Sequence, residues 1–206
     1  VEKDVVIARH FDFFQDFGFE YHNSHGLFYK DFPQGKQAIF IHYAEYEEEA
    51  FLEYNIGVRI DQVELMVHQF LPSLQGYEDR SLTLIQPLNK IDQNLPRRFI
   101  LDAANPLLKA QKEIENFFIQ KGFKWLDDLV QVKRLQEEFE TKKAKGFVNQ
   151  NYAFHVFRAT ALSKLVAPEK YHELRSFFLS QLENQGITPI TIASYLQFLN
   201  FLDSKY

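Results

Sequence analysis

The 206-residue sequence contains no cysteine, which removes thiol catalysis, disulfides and thiolate metal sites together. Apolar residues make up 46% and 22 residues are Phe, enough aromatic area to build a large core and to exclude global disorder. No run approaches the roughly 18 apolar residues of a membrane span, and the net charge of −5 is concentrated in residues 1–101, where 9 Lys/Arg face 16 Asp/Glu, a balance that opposes nucleic-acid binding.

A first residue of Val rather than Met points to upstream trimming, and no basic and apolar leader stands at the start. From Asp4 to Phe17 the apolar residues Val5, Ala8, Phe11, Phe14 and Phe17 recur near helical spacing, and Gly18 supplies the stop. In such a stop the following Phe19 folds back on Phe14. The same pattern recurs at Phe118, Gly122 and Phe123 and at Leu182, Gly186 and Ile187. Phe13–Phe19 and Phe117–Phe123 share the spacing Phe-Phe-x-x-x-Gly-Phe, read as a shared helix stop rather than an internal repeat.

From Phe19 to Asp61 the period falls to two. Asn23-Ser24-His25-Gly26 and Pro33-Gln34-Gly35-Lys36 mark turns, and strands follow over Gln37–Tyr46 and Phe51–Asp61. In the last of these, Leu52, Tyr54, Ile56, Val58 and Ile60 alternate with Glu53, Asn55, Gly57 and Arg59, which predicts one packed face and one partly wet face. A short helix over Gln62–Leu71 ends at Pro72, Ser81–Gln86 reads as a fifth strand, and the proline-containing residues 87–98 read as a linker.

Helical signals dominate afterwards. Asn105-Pro106 caps a helix through Gln120, Leu126–Lys145 forms the next, and Tyr152–Val166, Pro168–Gln185 and Thr188–Leu202 give three more. The expected fold class is α+β: an antiparallel meander sheet of four or five strands flanked by helices, followed by a bundle of about five helices. The expected organisation is a sheet-containing part at 1–94 and a helical part at 95–206, either as two parts or as one compact domain.

The common chemical motifs are missing from the sequence: no glycine-rich phosphate loop, no Gly-x-Ser-x-Gly elbow, no His-Glu-x-x-His helix and no calcium loop. His22 and His25, with His42 on a neighbouring strand, have a spacing that can share a metal, but turn histidines are more often exposed side chains without a ligand, and no metal or cofactor is expected. Glu45, Glu47, Glu48, Glu49 and Glu53 read as a solvated acidic hairpin tip before they read as a site for a cation or a basic partner. The candidate ligand-binding residues are His42, Glu53, Asn55 and Arg59 on the polar sheet face, with His155 and Arg158 on a polar helix stripe that also holds Asn151. That stripe reads first as a solvent face or a satisfied buried network.

The helix ending in Gly18-Phe19, the hairpin through Leu27-Phe28-Tyr29-Lys30, the strand Ala38-Ile39-Phe40-Ile41 and the segment Tyr54-Asn55-Ile56-Gly57-Val58 together resemble uncharacterised bacterial domains of unknown function. The resemblance covers residues 4–61 and implies a bacterial cytoplasmic origin without catalytic residues. The reading preferred from sequence is a soluble, non-enzymatic binding or protein-interaction module that meets a partner protein or a small ligand through its acidic first half. The alternative is an enzyme using His42 or His155 with Glu53 and Arg59. The oligomeric state is left open.

Overall fold

A computed structural model describes residues 3–47, 49–102 and 106–206. It contains the helices α1 (Lys3–Ala8), α2 (Phe11–Asp16), α3 (Asp61–His68), α4 (Leu107–Phe117), α5 (Phe123–Val130), α6 (Val132–Thr141), α7 (Tyr152–Val166), α8 (Pro168–Asn184) and α9 (Pro189–Lys205). The strands are β1 (Glu20–His22), β2 (Leu27–Phe32), β3 (Gly35–Glu45), β4 (Ala50–Ile60), β5 (Leu84–Pro87) and β6 (Phe99–Leu101). They form an antiparallel meander in the order β1-β2-β3-β4-β5, with β6 also pairing β4 through Ala50↔Leu101 and Leu52↔Phe99. The α+β class holds. The strand β6, at the end of the expected linker, is an addition to it.

Two compact units divide the chain, each built from two stretches: Val1–Val58 with Ile85–Asp128, and Arg59–Leu84 with Leu129–Tyr206. Each unit therefore combines residues from before and after residue 94.

In the first unit the expected helix over 4–17 is two short helices with a break at His10. The break is chemically specified. His10 Nδ1 donates to Val6 O at 2.9 Å, a carbonyl that can only accept, so Nε2 is the acceptor for the Tyr54 hydroxyl at 2.7 Å. Both ring nitrogens of a fully buried imidazole are thereby satisfied. The stop at Gly18 occurs as expected, with φ of 84° and Phe19 N–H donating to Phe14 O at 3.0 Å.

Gly122 does something else. Its φ is not positive, and α4 runs through a π-helical turn, Phe118–Gly122, directly into α5. A Cβ at Gly122 would lie 2.7 Å from Phe117 Cε1 and 2.9 Å from Phe118 Cδ1, so glycine is needed there for close packing and does not end the helix. The two Phe-Phe-x-x-x-Gly-Phe segments pack on one another: Phe14 meets Phe118 edge-on at 4.9 Å, and Phe17 stacks on Phe123 at 4.2 Å between ring centroids.

The wet sheet face does not occur on β4, where every residue from Leu52 to Ile60 is buried. The alternation of polar and apolar residues marks two covered faces, and the polar groups on one of them are met by ion pairs and hydrogen bonds.

In the second unit, Gln131 interrupts the expected helix over 126–145, and the C-terminal helices match the reading closely. Ile187 N–H donates to Leu182 O at 3.1 Å past Gly186, as the stop motif requires. The α4 cap expected from Asn105 lies outside the described residues; α4 itself begins after Pro106.

Gly122→Ala is expected to lower stability by about 1–3 kcal/mol in urea denaturation, through overpacking. The paired change with Phe117→Leu recovers part of that loss. An Ala that proves neutral at Gly122 would show the π-helical turn to be tolerant.

Candidate functional site

The densest polar cluster is buried in the second unit. Glu64 projects from α3 and is fully buried. Each of its carboxylate oxygens takes two donors. Oε1 receives Arg158 Nε at 2.8 Å and Thr83 Oγ1 at 2.9 Å; Oε2 receives Arg158 Nη2 at 2.8 Å and Ser81 Oγ at 2.7 Å. Burial alone raises the Glu64 pKa, but the Arg158 charge, the hydrogen bonds from Arg158 and Ser81 and the nearby His68 ring, its Nε2 at 3.7 Å, outweigh it and hold the carboxyl well below its usual range.

Arg59 extends the cluster. Its Nε donates to Asp61 at 2.6 Å, Nη1 to the Ser81 carbonyl and hydroxyl at 2.8 Å each, and Nη2 to Glu78 O at 2.5 Å. One guanidinium thus ties the segment after α3 back to the end of β4.

His68 Nε2 lies 2.7 Å from Ser81 Oγ, with Glu64 close by. The three residue types suggest a nucleophile and its base, but the protons are assigned otherwise. The single Ser81 proton goes to the Glu64 carboxylate, so Oγ must accept from both Arg59 and His68. His68 therefore carries its proton on Nε2 and is not placed to deprotonate Ser81.

His155 is enclosed by rings. It lies between Phe139, stacked at 4.9 Å, and Tyr152, stacked at 5.8 Å, with Phe147 and Phe178 edge-on. Neither ring nitrogen has a hydrogen-bond partner. Burial, helped by the Arg158 charge, pushes its pKa down to about 4. The polar stripe read on this helix thus separates into three roles: Asn151 caps α7 by accepting from Ala153 N–H at 2.8 Å, His155 enters an aromatic cage, and Arg158 neutralises Glu64.

The other candidate residues are placed separately. Glu53, in the first unit, is buried under Arg98 Nε at 3.0 Å and Arg97 Nε at 3.5 Å. Asn55 is buried on the same strand, and His42 is exposed on β3 with its ring beside Phe40. His22 and His25 stack at 6.3 Å, and His25 Nδ1 lies 3.3 Å from the Tyr29 hydroxyl. Among the described residues no group of three or more His, Asp or Glu is arranged to hold a metal ion.

Sequence reasoning missed a groove in the first unit. With a volume of about 410 Å3, it lies between the β3–β4 hairpin tip, the end of β6 and the start of α4. Ala50, Leu101 and Leu107 supply apolar surface above the buried Val6, Tyr43 and Tyr46 supply rings, and Glu45, Glu47, Glu49 and Asp102 bring carboxylates. Glu48 of the acidic tip lies outside the described residues. The Tyr43 phenol is pushed up by burial and by the charge and hydrogen bond of Glu45. The run of glutamates was the visible signal; the leucines that meet it come from β6 and α4, far along the chain.

Comparison with known proteins finds no matching family model, no matching curated protein and no matching solved structure.

Removing one partner of the buried pair leaves the other charge uncompensated, so Glu64→Met and Arg158→Met are each expected to cost about 3–5 kcal/mol in chemical denaturation. The double variant is expected to lose less than either single one. Additive losses would mean that the two charges are not coupled.

His155 generates a pH dependence of definite sign. Its folded pKa lies below the ordinary 6.5, so its stabilising contribution is full above about pH 6.5 and is lost as pH falls toward about 4. Replacing it with Phe is expected to flatten the stability–pH curve across that window. A curve of unchanged slope would reject the assignment; His10, whose pKa burial also lowers, retains its own contribution.

Proposed function

We propose that the protein is a non-enzymatic binding or protein-interaction module whose binding surface is the groove of the first unit. The observation that carries this reading is the contrast between the groove and the polar cluster. The groups best suited to chemistry are already committed: Glu64 to four donors, the Ser81 proton to Glu64, and Glu53 to two arginines. His155 is closed off by aromatic rings. The groove, by contrast, combines apolar surface with a few polar groups in a volume within the roughly 300–1,000 Å3 range of ligand sites.

The acidic balance of residues 1–101 supports a partner other than nucleic acid. Among the described residues no helix is long and apolar enough to cross a membrane. A bacterial cytoplasmic setting rests on the resemblance of residues 4–61. The alternative, an enzyme using His42 or His155 with Glu53 and Arg59, keeps an exposed imidazole at His42 but receives no support from Glu53, held beneath two arginines, or from Arg59, committed to Asp61, Ser81 and Glu78.

Chemical-shift mapping of the isotopically labelled protein against metabolites and short peptides tests the reading. Perturbations are expected at Tyr43, Tyr46, Ala50 and Leu101, with the ligand recovered unchanged. Conversion of a ligand to product, abolished by His42→Ala or Glu53→Gln, would overturn the reading in favour of the enzyme. Perturbations confined to other surfaces would remove the groove as the site.

A further inference from the structure

The chemistry of the groove selects among occupants. Glu47 and Glu49 are exposed at its rim, and no lysine or arginine stands among the described residues that line it. Carboxylates around an apolar floor favour a group that joins a positive charge to aliphatic surface. Tyr46, 63% exposed at the rim, adds a π face on which a cation can rest.

The surroundings favour a polypeptide over a small cation. Leu101 and Leu107 line the groove from β6 and α4, and Leu108, the next residue of α4, is 54% exposed. A polyamine uses the charge but leaves those side chains in water. A segment carrying both basic and apolar residues uses both.

We infer that the groove docks a basic, amphipathic segment of a partner protein, with a Lys or Arg among the rim carboxylates and an apolar side chain on Leu101 and Leu107. This inference rests on the groove being the binding site. It specifies the chemical class of the occupant.

The test uses fluorescence anisotropy with a labelled Lys/Leu amphipathic peptide, its Glu/Leu and Lys/Ser counterparts, and unlabelled spermine as a competitor. Saturable binding is expected for Lys/Leu, with both counterparts roughly tenfold weaker or worse. The Glu47→Gln/Glu49→Gln variant is expected to weaken Lys/Leu binding about tenfold, and Leu107→Ser to weaken it with unchanged salt dependence. Asp12→Asn/Asp16→Asn removes the same charge from α2 and is expected to leave binding intact. Thermal melting confirms that each variant folds.

Equal loss in the two charge-removal variants would reduce the attraction to net charge and overturn the inference. So would equal binding of the Lys/Ser peptide, or absence of saturable Lys/Leu binding. If spermine or a neutral ligand perturbs the groove while Lys/Leu does not bind, the binding-module reading stands and the peptide assignment fails. If nothing perturbs the groove, both fail.

Discussion

The Glu64–Arg158 pair is the constraint on which the second unit depends. An ionised carboxylate in a dry interior costs several kcal/mol unless its oxygens are fully engaged. Glu64 meets that requirement with four donors drawn from α7 and the segment before β5. The pair joins positions 94 residues apart, so neither α3 nor α7 can shift along its axis without stranding a charge. Arg59 then fixes the intervening segment by holding the Glu78 and Ser81 carbonyls. A cluster with so many committed donors resists rearrangement, which suits a scaffold better than proton transfer.

The first unit is organised by aromatic packing. Two segments with the same Phe and Gly spacing meet face to face, yet their glycines act differently. Gly18 adopts a left-handed conformation and ends α2; Gly122 stays helical and admits the Phe117 and Phe118 rings where a methyl group would collide. The two segments share their Phe-Phe-x-x-x-Gly-Phe frame but differ at all three intervening residues, and the packing around each decides which property of glycine is used.

Buried and exposed polar groups are handled differently in this fold. Buried ones are paired and closed: Glu64 with Arg158, Glu53 with Arg97 and Arg98. The acidic residues at the hairpin tip remain at the surface beside apolar side chains from β6 and α4. Leaving Glu47 and Glu49 exposed costs little, because water solvates them, and keeps their charge available to an incoming cation.

The sequence by itself determined the α+β class, the meander, the stops at Gly18 and Gly186, and the span of α7, because period, turn chemistry and capping act within a few residues. It also marked Glu53, Arg59, His155 and Arg158 as unusual, but it did not determine their partners. Whether Glu53 and Arg59 face water, whether Gly122 ends a helix, which carboxylate Arg158 meets and whether glutamates border a groove were settled only by the tertiary structure. Each depends on which distant side chains cover the residue, and burial and pairing of that kind have no local periodic signature.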